Sequence, residues 1–211
     1  MHDSDISLKK TWAGVAVAFV LWFIMFSPIT GPRLNFWYAM TTSAVVLTSY
    51  TFWASPKWRE QLHLGVGQVA LGIVLAAVLW GVFWVGDKLS QLMFSFARSE
   101  VDLIYSMKAG SNPTVIGILL LFIIGPAEEI FWRGFVQRTM SQRWSPTVGM
   151  VVATACYTLV HVSSLNFMLI MAAMVAGGFW GLLYRIWPKN LTALIISHAL
   201  WDAAAFVFIP F

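Results

Sequence analysis

Charge is what this chain has least of. Only 10% of its 211 residues are Asp, Glu, Lys or Arg, while 59% are hydrophobic. A soluble globular domain carries roughly 25% charged residues, so the deficit excludes an ordinary soluble fold. Cysteine is nearly missing as well. Cys156 stands alone, which rules out an intrachain disulfide, and it lies in an apolar run as a small core residue would. There is no internal repeat, no low-complexity segment and no composition shift, so residues 1–211 read as a single integral membrane domain. Clusters of basic residues are absent too. The formal charge of +4 is scattered through short gaps between apolar runs, which excludes nucleic acid as a partner and is how membrane topology is written.

What is present points the same way. Twelve Trp and sixteen Phe suit a chain in contact with lipid, because Trp concentrates where bilayer meets water. A spanning helix needs about 20 mostly apolar residues. Seven segments meet or approach that length: roughly 12–29, 35–54, 64–86, 114–132, 146–162, 165–186 and 191–209. Pro28, Gly31, Pro32, Pro56, Pro113, Pro146 and Pro188 punctuate them. Lys9 and Lys10 before Ala13–Ile29 resemble a leader, but Ser27-Pro28-Ile29 offers no small-residue cleavage site, so the run reads as a retained first span. Residues 87–110 mix Lys88, Arg98, Glu100, Asp102 and Lys108 with Leu89, Leu92, Met93 and Phe94, the pattern of an amphipathic helix on the membrane surface. The expected fold is therefore an all-α, polytopic transmembrane helix bundle with about seven spans and one interfacial helix.

The basic residues predict orientation. With the N-terminus inside, cytoplasmic segments hold Lys9, Lys10, Lys57, Arg59, Arg138, Arg143, Arg185 and Lys189, and the outer side holds Arg33, Lys88, Arg98 and Lys108. Eight against four favours a cytoplasmic N-terminus.

Ionisable residues at bilayer depth cost at least ~2.5–3.5 kcal/mol on insertion scales and usually mark function. The interiors of the first three spans have none. Three later places do. In Gly125-Pro126-Ala127-Glu128-Glu129-Ile130-Phe131-Trp132-Arg133, Glu129 and Arg133 share a helix face, while Glu128 points about 100° away. The Arg can hold one carboxylate as a structural anion and leave the other titratable, as a general base requires. Pro126 removes a backbone hydrogen bond and can open the helix. Tyr157 and His161 share a face of the next span. His198 and Asp202, four apart, allow a carboxylate to orient an imidazole. A lone buried His is commonly a core residue, and a lone Glu–Arg pair can simply tie helices together. The functional reading rests on two Glu, one Arg, two His and one Asp coinciding in the closing spans.

These residues resemble the CPBP (CAAX protease and bacteriocin-processing, ABI) family of intramembrane proteases. Its EExxxR, aromatic-xxx-His and HxxxN/D motifs read here as Glu128-Glu129-x-x-x-Arg133, Tyr157-x-x-x-His161 and His198-x-x-x-Asp202, over roughly residues 113–208. Tyr157 stands where the family more usually has Phe, and Asp202 where eukaryotic-type members have Asn. The resemblance implies hydrolysis of a peptide bond near the membrane by a glutamate-activated water. Glu128 would be the base, helped by His161; Glu129 would pair with Arg133; His198 would stabilise the oxyanion, positioned by Asp202. An ionised Asp cannot donate a hydrogen bond to an oxyanion. No cofactor is favoured, although Glu128, His161 and His198 could together bind Zn²⁺; H-E-x-x-H is absent.

The resemblance also implies membrane lipid and a peptide or membrane-anchored protein as partners, and a multi-pass cell-membrane location, by analogy the bacterial inner membrane. Two other readings stay open: a non-catalytic bacteriocin-immunity or peptide-binding protein, and a proton-coupled transporter, although no transporter-like repeat is visible. One geometric difficulty stands. If span four covers 114–132, straight helices put Glu128 near one membrane face and His161 near the other. A break at Pro126, a later start for span five, or strong tilt would be needed.

Overall fold

A computed structural model describes residues 7–211. Its helices begin where the sequence supplies caps. Ser7, Asn35, Asn112, Ser145 and Asn166 each accept a backbone N–H from the first turn that follows, and Pro113 and Pro146 occupy first-turn positions where no N–H is needed. The long helices are α1 (Leu8–Phe26), α2 (Phe36–Ala54), α3 (Val66–Met93), α5 (Pro113–Arg143), α6 (Pro146–Val160), α7 (Phe167–Ile186) and α8 (Leu191–Phe208). A short α4 (Ala97–Ser106) lies between α3 and α5. Among the described residues there is no strand. The protein is an all-α polytopic bundle.

Six of these helices, with α6 counted through Ser164, are long and apolar enough to cross a membrane. α2 matches α1 in length, at 19 residues, but its Thr, Ser and Tyr leave it less apolar. Phe19, Val20 and Phe23 on α1 and Ile73, Val74 and Val78 on α3 are exposed, as lipid-facing positions are. The interior is built on Trp22, Phe131, Trp132, Phe135 and Met140, with a second cluster around Trp58, Leu79, Trp180 and Leu194.

Two elements differ from the sequence expectation. The stretch 87–110 is not one helix. α3 continues to Met93 because the Asp87 carboxylate is buried and held by Gln91 Nε2 at 2.7 Å and Lys88 Nζ at 3.3 Å. Phe94 then leaves the helical region, and α4 follows. α4 and the turn after it are strapped to the bundle: Glu100 accepts the Met168 N–H at the start of α7, and Tyr105 Oη donates to Ala205 O. Burial pushes the Tyr105 phenol above its usual range, which keeps that donor protonated.

The larger difference is α5. Apolarity alone ends it near residue 132, but the helix runs 31 residues to Arg143. Arg133, Gln137 and Arg138 interrupt the apolar run without stopping the helix, because protein rather than lipid receives them. Gln137 Nε2 donates to Gly181 O at 2.7 Å, and Arg138 reaches Ser55 Oγ at 3.4 Å. Widened π turns at Leu120–Ile124 and Ile130–Gln137 bracket the helical turn Gly125–Glu129, an arrangement frequent at functional sites. The Gly125 N–H bonds Leu120 O, five residues back, just ahead of Pro126. A methyl on Gly125 would meet Ala199 Cα at 2.7 Å. Glycine is what lets α5 and α8 touch there.

Candidate active site

The extended α5 removes the depth difficulty. Glu128 lies fifteen positions before Arg143, and His161 fifteen positions after Pro146. On antiparallel helices joined at residues 144–145, each is about 22 Å of helical rise from the turn. The two residues sit at the same level.

Glu129 is fully buried and accepts two hydrogen bonds on Oε1, from Arg133 Nη1 and from His198 Nδ1, each at 2.8 Å. Arg133, also buried, donates its Nη2 to Gly177 O on α7 at 2.8 Å. One carboxylate therefore joins α5 to α8, and one guanidinium joins α5 to α7. The i,i+4 Glu–Arg pair was legible in the sequence. The bond from His198 was not, because nothing in a linear motif says which carboxylate an imidazole on another helix will find.

His198 is held on every side. Its ring stacks on Trp180, with centroids 3.8 Å apart and planes 14° from parallel. Its Nε2 stands 3.5 Å from Asp202 Oδ2. Trp180 in turn donates Nε1 to Ser197 Oγ at 3.2 Å. Two carboxylates and an indole face around this imidazole suit a ring that carries positive charge.

Glu128 faces elsewhere. Tyr157 Oη donates to its Oε2 at 2.9 Å. Among the described residues, no protein donor reaches its Oε1. His161 donates Nδ1–H to Tyr157 O at 2.8 Å and accepts the Trp22 indole N–H on Nε2 at 3.2 Å. Glu128, Tyr157, His161, His198 and Asp202 all line one cavity of about 520 Å³. Its remaining walls are mostly apolar and come from α2, α3, α4, α5, α7 and α8. Four of the six expected site residues, Glu128, His161, His198 and Asp202, thus line one space, and the other two, Glu129 and Arg133, form an ion pair that holds His198 from behind. Trp22, Gly177 and Trp180 are neighbours that no motif announced.

Residues 110–204 match the family described as Rce1-like, type II CAAX prenyl endopeptidase. That segment carries all three motifs. The match is consistent with the CPBP family of intramembrane proteases. Comparison with curated proteins and with solved structures found no match. Within this Rce1-like segment, Gly177 packs directly against the site. A methyl there would meet the Tyr157 ring at 2.8 Å, and the same residue's carbonyl receives Arg133. Gly177→Ala is expected to destabilise the protein by about 1–3 kcal/mol, the usual range for overpacking a core, and to slow catalysis. A melting curve and turnover equal to wild type in detergent would refute this.

Proposed function

We propose that this protein is an intramembrane endopeptidase that hydrolyses a peptide bond with a water activated by Glu128. The observation that carries the reading is the division between the two adjacent carboxylates. Glu129 is buried behind the cavity with its Oε1 held by both Arg133 and His198, whereas Glu128 lines the apolar cavity with an oxygen that Tyr157 leaves open.

In this mechanism Glu128 takes a proton from water as the hydroxide oxygen bonds to the scissile carbonyl carbon. The carbonyl oxygen becomes an oxyanion and accepts from His198 Nε2, whose ring is aligned by Glu129 and Trp180. Asp202 balances the charge of that imidazolium. Collapse of the tetrahedral intermediate breaks the C–N bond, and Glu128 returns its proton to the departing nitrogen. His161 forms part of the wall that confines the water.

Zinc does not fit the side chains as they stand. Among the described residues no group of three His, Cys, Asp or Glu is placed to hold a metal. Both nitrogens of His161 are engaged by Trp22 and Tyr157, and His198 Nδ1 is on Glu129.

The substrate is a peptide or membrane-anchored protein tail entering the cavity from the bilayer. Its apolar walls suit a lipidated or apolar segment, in keeping with the prenyl substrates that the family's description names. The reading places the N-terminus in the cytoplasm and the protein in a bacterial inner membrane. The test is to profile new peptide termini by mass spectrometry in membranes carrying wild type or Glu128→Ala. Termini that appear only with wild type support the proposal. Identical profiles would reject it.

A further inference from the structure

Tyr157 touches Glu128, Arg133 and His161 of the first two motifs. Its hydroxyl donates to Glu128, its carbonyl accepts from His161, its ring lies 5.2 Å from the Arg133 guanidinium carbon, and it packs edge-on against Trp132 with centroids 5.4 Å apart.

The carbonyl contact has a backbone cause. At the end of α6 the His161 N–H turns back to Leu159 O and Thr158 O as the chain tightens into the 3₁₀ turn His161–Ser164. Tyr157 O thereby loses the amide that a continuing helix would give it. The His161 ring fills that vacancy with Nδ1–H. A carbonyl cannot donate and an indole N–H cannot accept, so the partners assign His161 as the neutral Nδ1–H form. Its Nε2 is then closed by Trp22, a residue of α1 outside the Rce1-like segment. Trp22, His161, Tyr157 and Glu128 form a linked series, each fixing the next.

We propose that Tyr157 is the positioning residue for Glu128, setting which carboxylate oxygen faces the cavity, and that Trp22 and His161 act on Glu128 through it. The proposal rests on Glu128 being the base. A carboxylate on an open χ3 torsion swings between orientations; the Tyr157 hydroxyl pins Oε2 and leaves Oε1 for water. A phenylalanine at 157 keeps the ring against Arg133 and Trp132 and loses only that donor.

The test measures kcat, KM and melting temperature for wild type, Tyr157→Phe, Trp22→Phe, their double variant and Glu128→Gln, on one membrane-anchored peptide in detergent. A hydrogen bond to a charged group converts to about 10- to 100-fold in rate. Tyr157→Phe should lower kcat by that factor, with KM within about twofold of wild type and the melting temperature kept. Trp22→Phe should lower kcat less and add little to the Tyr157→Phe loss, because both act along one path. An unchanged kcat in Tyr157→Phe, or a loss confined to KM, overturns the proposal while an inactive Glu128→Gln leaves the glutamate reading standing. Fully additive losses from Trp22 and Tyr157 overturn the second half of the proposal. An active Glu128→Gln removes both.

Discussion

Glu128→Gln is expected to lose peptide-bond hydrolysis by about 10²–10⁴-fold, the range a positioned general base contributes, with little change in thermal stability. The amide has the volume of the carboxylate and can still accept the Tyr157 hydroxyl through its oxygen. What it cannot do is take a proton from water. Stability should hold because, among the described residues, Glu128 joins no ion pair, in contrast to Glu129 next to it. The effect therefore belongs to kcat. A variant with wild-type turnover would leave Glu128 as a wall residue, and one that melts early would make it a structural residue.

Arg133→Ala should act on the fold. Removing one partner from a buried ion pair costs about 3–5 kcal/mol, since the remaining charge stays buried without compensation. Here the exposure of Arg133 and Glu129 is only 2% and 0%. The loss reaches further than the pair, because Gly177 O on α7 also loses its donor, and Glu129 keeps only His198. Arg133→Lys should recover part of the stability at most. An ammonium is a point charge that cannot reproduce the fork spanning Glu129 and Gly177. Denaturation in mild detergent, followed by intrinsic fluorescence, measures both variants. Unfolding of Arg133→Ala within 1 kcal/mol of wild type would show that this ion pair does not tie α5 to its neighbours.

The bundle was legible because lipid leaves a simple trace: runs of apolar residues near 20 long, punctuated by Pro, Gly and capping Asn or Ser. Where that trace misled, a protein contact had replaced lipid. Arg133, Gln137 and Arg138 appeared to end α5, yet α7 carbonyls and Ser55 receive them and the helix continues to Arg143. Asp87 appeared to open a surface helix, yet α3 runs past it. The site divides along the same line. Glu129–Arg133 and His198–Asp202 are neighbours on single helices, so their spacing places them together. The bonds from His198 to Glu129, from Tyr157 to Glu128 and from Trp22 to His161 join different helices. They depend on packing, such as the missing Cβ of Gly177 beside the Tyr157 ring. Trp22 was the least accessible, since it reads as one interfacial tryptophan among twelve.

The most direct test of a water activated by Glu128 is the cleavage rate of a membrane-anchored peptide by exhaustively chelated wild type and Glu128→Gln, purified side by side. The account predicts that chelated wild type keeps its full rate while Glu128→Gln falls by about 10²-fold or more. A chelated wild type that stops and recovers on addition of Zn²⁺, or a Glu128→Gln protein that cleaves at the wild-type rate, would contradict it.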